Sequence, residues 1–154
     1  MKNLVVVLMG GLSNERKISF LTGKACSGAL KKKGFKVINL DACGHFVSEL
    51  KKLKPEIVLN ALHGKYGEDG FVQSILESLK IKYTHSGVIS SSLAMDKELS
   101  RILFKKKNLQ VPKYIVLQKG INFNLNKKIK INKLKFPLVI KPNSEGSSLG
   151  VYIC

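Results

Sequence analysis

Residues 4–9, LVVVLM, are apolar without a break and rich in β-branched side chains. That is the pattern of a short strand buried on both faces. Gly10-Gly11 ends the run, and Ser13 or Asn14 is placed to cap the next helix. Over residues 18–33, Ile18, Leu21, Ala25, Ala29 and Leu30 keep helical spacing, and Gly34 suits the position just past a helix end. Residues 35–40 predict a second strand, 46–53 a short amphipathic helix, and 57–61 a third strand after Pro55. This alternation predicts a doubly wound parallel sheet, whose ligand sites lie at the carboxyl ends of its strands. Residues 71–79 predict a helix, 83–84 a short strand, and 86–95 and 97–107 further helix, ended by Val111-Pro112. Residues 114–117, 138–141 and 151–153 predict strands. Residues 118–135, rich in Asn and Lys, predict a surface excursion, and 143–150 a loop of small residues. A boundary near residues 86–96 separates a sheet unit, 1–85, from a second unit, 86–154, that has only begun to form.

Composition narrows the class. Apolar residues make up 44% of the 154, so a core can be buried, but aromatics are 7% and Trp is absent. Aliphatic side chains must fill that core. Lys+Arg is 27 against 10 Asp+Glu, a formal charge of +17. Such a balance suits a polyanionic partner or nucleotide phosphates, and equally a Lys-rich solubilising surface. The lysines are scattered, and the runs 31–33 and 105–107 fall at predicted helix ends, where cations complement the dipole. Cys26, Cys43 and Cys154 are odd in number and lack metal-ligand spacing, which points to free thiols in a reducing compartment. Residues 4–9 are too short for the apolar region of a signal peptide, and no apolar run is long enough for a bilayer span. A cytoplasmic protein is expected.

Four segments carry candidate chemistry. Gly10-Gly11-Leu12-Ser13-Asn14-Glu15 lets backbone N–H groups approach a ligand and brings Glu15 to a helix start. A dipole-favoured structural carboxylate explains Glu15 equally well. Residues 63–70, HGKYGEDG, hold three glycines and five functional side chains at a predicted strand end, as binding loops do. Within them Glu68 or Asp69 can simply cap the next helix. Lys97 in Ala94-Met95-Asp96-Lys97 starts a helix against the dipole, as a lysine meeting an anion would. Residues 141–150, KPNSEGSSLG, join a strand ending in Lys141 to a Gly/Ser loop whose amides and hydroxyls suit phosphate oxygens. This is no Walker A loop, because the lysine precedes the glycines and a strand comes after them. A plain hairpin turn is the alternative.

In this order, G-G-x-S-x-E, H-G-x-x-G-E-D-G, S-G-V with A-M-D-K, and K-P-x-x-E-G-S-S-x-G, the segments resemble the D-alanine–D-alanine ligases of the ATP-grasp superfamily over essentially the whole chain. The resemblance implies a Rossmann-like pre-ATP-grasp substrate domain over 1–85 and the start of an ATP-grasp domain over 86–154. It implies ATP-dependent joining of two D-alanines through an acyl phosphate, for peptidoglycan synthesis, with Mg²⁺ (or Mn²⁺). It also implies a homodimer, with no membrane or nucleic-acid partner. It gives Glu15 the first D-alanine's ammonium and places His63 near that substrate's carboxylate. Ser147 would orient Glu15 together with a tyrosine supplied later in the chain. Lys97 and Lys141 would contact ATP phosphates, and Glu145, Gly146 and Ser148 would belong to the ATP-binding loop. Metal ligands are expected beyond Cys154 and none within the chain, so the chain looks like the N-terminal portion of a ligase, inactive alone. Arg101 stands where the family commonly has lysine, and His85 where it commonly has glycine. A D-alanine–D-hydroxy acid ligase, or a non-catalytic basic module for nucleotides or nucleic acid, are the alternatives.

Overall fold

The computed structural model describes residues 4–154. Its first half is a parallel four-stranded sheet of β1 (Leu4–Met9), β2 (Lys36–Asp41), β3 (Ile57–Asn60) and β4 (Lys82–Tyr83), in the order β2-β1-β3-β4. In register, Val6 faces Ile38 of β2 and Val58 of β3, and Val58 faces Tyr83 of β4. The strand order reverses at β1, which sets a switch point between the carboxyl ends of β1 and β3.

Helices cover both faces of the sheet, as the unbroken apolar run of β1 requires. On one face Val6, Leu8 and Val58 pack with Leu50 of α2 (Phe46–Leu53) and with Val72 and Leu76 of α3 (Phe71–Ser78). On the other, Val7, Met9 and Ala61 pack with Phe20 and Leu30 of α1 (Arg16–Lys32). Val6, Val7, Leu8, Leu50, Val58 and Leu76 are fully buried, each contributing about 1.5–3 kcal/mol of transfer free energy. α1 begins at Arg16 with Glu15 in the cap position and no side-chain cap, rather than with a cap at Ser13 or Asn14. It closes as predicted at Gly34, where the amides of Gly34 and Phe35 bond the carbonyls of Lys31 and Leu30.

The second half is sparser. α4 (Val88–Met95) leads to α5 (Lys97–Lys106), α6 (Leu125–Ile131), and an antiparallel pair of β5 (Val139–Ile140) and β6 (Tyr152–Ile153). Two sequence expectations are corrected here. Residues 114–117 form no strand, because they have no ladder partner among the described residues, and β propensity without a pairing edge does not make one. Residues 118–135 are exposed as expected, yet they carry α6, whose first turn is capped by the Asn124 side chain accepting from the Lys127 amide at 2.9 Å. His85 adopts a left-handed backbone, φ 79°, the conformation a glycine would supply without strain. The three cysteines are unpaired. Among the described residues, no helix is long and apolar enough to cross a membrane.

Candidate active site

The loops leaving β1 and β3 meet at the switch point, held there by small polar groups. Ser19, buried in α1, accepts from the Gly10 amide at 2.8 Å and donates to the Ala61 carbonyl at 2.7 Å. It thereby joins the two strand ends. Ser13 donates to the His63 carbonyl at 2.7 Å and accepts from the Glu15 amide at 3.1 Å. Gly10 and Gly11, at φ 76° and 75°, make the turn that admits this approach. Arg16 donates to the Gly11 carbonyl at 2.8 Å and forks onto Asp41 at 2.8 and 2.5 Å, while Asp41 accepts from the Gly11 amide at 3.1 Å. The Arg16 guanidinium thus holds the Asp41 carboxyl below its ordinary range.

The second loop is fastened from beneath. Asn60 and Gln73 both donate to the Gly67 carbonyl at 2.9 Å. Asp69 accepts from the amides of Tyr66 and Phe71, so it plays the helix-capping part. Glu68 does not. Its Oε2 accepts from the Gly64 amide at 2.6 Å, and its Oε1 lies 3.9 Å from His63 Nδ1. His63 Nε2 meets Thr22 Oγ1 at 2.9 Å.

Glu15 occupies the centre of this arrangement. It is 1% exposed, its Oε2 accepts from the Ser147 hydroxyl, and its Oε1 has no protein partner. A Cβ on Gly64 would stand 2.5 Å from that oxygen, and one on Gly146 3.0 Å. The two glycines therefore leave a cradle around a buried, half-satisfied carboxylate. An ionised carboxylate out of water demands a cation or further donors. One ligand atom from each of Glu15, His63 and Glu68 lies within 4.8 Å of the others.

The loop that brings Ser147 to Glu15 also reaches a cationic cluster. Lys97 Nζ donates to the carbonyls of Asn143 at 3.2 Å and Glu145 at 2.5 Å, and the Lys97 amide bonds the Asn143 carbonyl at 3.1 Å. Asn143 in turn accepts from the Glu98 amide at 3.0 Å. Burial first, then the nearby charges of Lys141 and Arg101, pull the Lys97 ammonium below its usual value. The carboxylates of Glu145 and Asp96 offset part of that repulsion, and three cations against two anions leave a net positive field that favours a further anion. Lys141 is exposed at this end of the loop, and Ser148, next to Ser147, is exposed as well.

The structure therefore gathers Glu15, His63, Gly146 and Ser147 at one centre, and Lys97, Lys141 and Glu145 at the other end of the same loop. Sequence reasoning missed Ser19 and Thr22, and it read Ser13 as a helix cap rather than as the link to the His63 carbonyl. A serine such as Ser19, on the inward face of an amphipathic helix, was the available signal, since a buried hydroxyl needs partners.

Residues 103–154 match the family model described as D-ala D-ala ligase C-terminus. The chain is 48% identical over 155 residues to the D-alanine–D-alanine ligase of Pelagibacter ubique (strain HTCC1062), a match covering 100% of the chain and 51% of that protein. The crystal structure of the D-alanine–D-alanine ligase from Bacillus anthracis matches with TM-score 0.83 at 38% identity, covering 99% of this chain and 49% of that one. The same organism's ligase complexed with ATP matches with TM-score 0.80 at 37% identity, covering 98% and 50%. In sequence and in fold the chain is similar to the D-alanine–D-alanine ligases over nearly its whole length, and it spans about half the length of these relatives.

Proposed function

We propose that the protein carrying this chain joins two D-alanines at the expense of ATP, for peptidoglycan synthesis in the cytoplasm, and that this chain supplies the first amino acid's site and one wall of the phosphate site. The observation carrying this reading is the loop over residues 143–150. One part of it holds a buried carboxylate with a free oxygen, through Ser147, and another is held by Lys97 within a cluster of three cations. Making an acyl phosphate requires both in one place, since the amino acid's carboxylate must lie against the terminal phosphoryl group of ATP.

Each group has a part that suits its chemistry. Glu15 Oε1 receives the ammonium of the first D-alanine, while Ser147 fixes the carboxylate's orientation. His63, steadied by Thr22, faces that substrate's carboxylate. Lys97 and Lys141 neutralise charge spreading over the transferring phosphoryl oxygens. Lys97 also ties down the loop whose Glu145, Gly146 and Ser148 backbone lines the phosphates, and that loop keeps water from the acyl phosphate. The second D-alanine's amine then attacks the activated carbonyl, the C–O bond to phosphate breaks, and the amide proton is lost to a base.

Magnesium bound to ATP would supply further charge neutralisation, but the clustered donors among the described residues do not fit it. Glu15, His63 and Glu68 include an imidazole nitrogen, and Mg²⁺ takes oxygen ligands. The 154 residues are expected to release no phosphate by themselves, because β5 and β6 offer one exposed wall and an ATP-grasp enzyme clasps its nucleotide between two. We take the working protein to be a homodimer, as the family resemblance implies.

The test is D-alanine-dependent phosphate release from ATP by the native protein, with the dipeptide identified by mass. Stoichiometric phosphate and D-alanyl-D-alanine support the reading. Phosphate release that ignores D-alanine, or a product containing one D-alanine and a hydroxy acid in preference to two D-alanines, would overturn it.

A further inference from the structure

Glu15, His63 and Glu68 make a donor set that the ligation reaction does not fully use. Glu15 Oε1 is buried and unpartnered. Glu68 Oε2 is occupied by the Gly64 amide, which aims the carboxylate and leaves Oε1 toward His63. The 3.9 Å between His63 Nδ1 and Glu68 Oε1 is beyond hydrogen-bond reach. When His63 Nε2 carries the proton and donates to Thr22, the Nδ1 lone pair points into the gap. Fixing a ligand imidazole through its other nitrogen is the usual outer support of a metal-bound histidine.

We propose that these three residues form a site for a divalent transition-metal ion of the zinc class, and that the ion competes with the substrate's ammonium group. One imidazole nitrogen and two carboxylate oxygens suit Zn²⁺ and Co²⁺, whereas Mg²⁺ disfavours the nitrogen. Bonds of about 2.0–2.2 Å put neighbouring ligand atoms of a tetrahedral ion about 3.4 Å apart. From 3.9 Å, His63 and Glu68 need to close by about 0.5 Å, and the whole set, whose ligand atoms lie within 4.8 Å of one another, by up to about 1.4 Å; the side chains of His63 and Glu68, 27% and 48% exposed, supply that movement toward the buried Glu15. That exposure also gives the ion an entry path, and the fourth position stays open to water. Two carboxylate charges are neutralised by the ion, and Glu15 Oε1 gains the partner it lacks. The competition, though not the metal binding, rests on the reading of Glu15 as the ammonium receptor.

The experiment is calorimetric titration of the native protein with ZnCl₂ in excess MgCl₂, repeated with CoCl₂ under an optical readout. One Zn²⁺ per chain is expected, weakened by about tenfold or more in His63→Gln and in Glu68→Gln. His45→Gln, at an exposed histidine elsewhere, should leave it unchanged. Co²⁺ should give d–d bands of a four- or five-coordinate site without a thiolate charge-transfer band. D-alanine should raise the apparent dissociation constant for Zn²⁺. Absence of saturable binding, binding in both site variants as tight as in the native protein, or a thiolate band from Cys26, Cys43 or Cys154 overturns the proposal. Metal binding that depends on His63 and Glu68 yet ignores D-alanine keeps the metal site and overturns instead the assignment of the ammonium to Glu15.

Discussion

Gly64 and Gly44 share a left-handed backbone, φ 68° and 65°, but differ in what surrounds them. A methyl group on Gly44 meets nothing within 4 Å, whereas one on Gly64 stands 2.5 Å from Glu15 Oε1 and 3.2 Å from its Cδ. Gly44→Ala therefore measures backbone strain alone, about 1 kcal/mol. Gly64→Ala adds the displacement of a buried carboxylate held by Ser147, an overpacking cost of about 1–3 kcal/mol. Urea unfolding followed by circular dichroism should then show Gly64→Ala about 1–3 kcal/mol less stable than Gly44→Ala. In the native protein Gly64→Ala should also raise the KM for the first D-alanine, because the added methyl fills the space around Oε1. Gly44→Ala should leave that constant unchanged. Equal stability losses in the two variants, with D-alanine use intact in both, would refute the cradle argument.

Lys97→Met and Lys141→Met should each weaken ATP use by about 1–3 kcal/mol, read as KM for ATP, but only Lys97→Met should also lower stability, since only Lys97 ties the loop carbonyls of Asn143 and Glu145. Asp96→Ala removes the acceptor for the Leu99 amide and one of two for the Glu98 amide, both at 2.9 Å, and should cost about 1 kcal/mol in thermal or urea unfolding. Tyr83, hydrogen-bonded to Glu77, has its phenol pushed up to about 12, so in an ultraviolet phenolate titration it should ionise late, and Glu77→Gln should bring it down. A raised acid binds its proton more tightly when folded, so this contribution is complete below the ordinary phenol value and lost as pH rises through about 12.

The sheet domain was legible because each strand carries its own signal. β1 is an unbroken apolar run, α2 repeats its apolar positions at helical spacing, and Gly34 marks where α1 ends. The parallel pairing was legible in the alternation, since parallel neighbours need helical crossovers. The region after residue 107 was less legible. Tyr114-Ile115-Val116-Leu117 has strand composition, but a strand exists through its partner. α6 hides among asparagines and lysines because a short helix with one capping residue leaves little periodicity. At the site, Glu15, His63, Lys97 and Lys141 lie in segments that stood out by their glycines and polar side chains, and their roles came only with the family resemblance. The supporting contacts of Ser13, Ser19 and Thr22 did not stand out, since they run across nine to 50 positions of sequence. Lys97 shows a further limit. Its place at a helix start suggested an anion partner, yet it also holds the loop carbonyls.

Glu15 as the receptor of the first substrate's ammonium is the centre of the proposed mechanism, and Glu15→Gln in the native protein puts it to the test. The amide keeps the volume and can still accept from Ser147, so only the charge is lost. The expected result is a KM for the first D-alanine raised by about tenfold or more, the loss of one charge-assisted hydrogen bond of about 1.5–3 kcal/mol, with the KM for ATP unchanged. An unchanged D-alanine constant in a folded Glu15→Gln protein, or a loss that falls on ATP instead, would contradict the account.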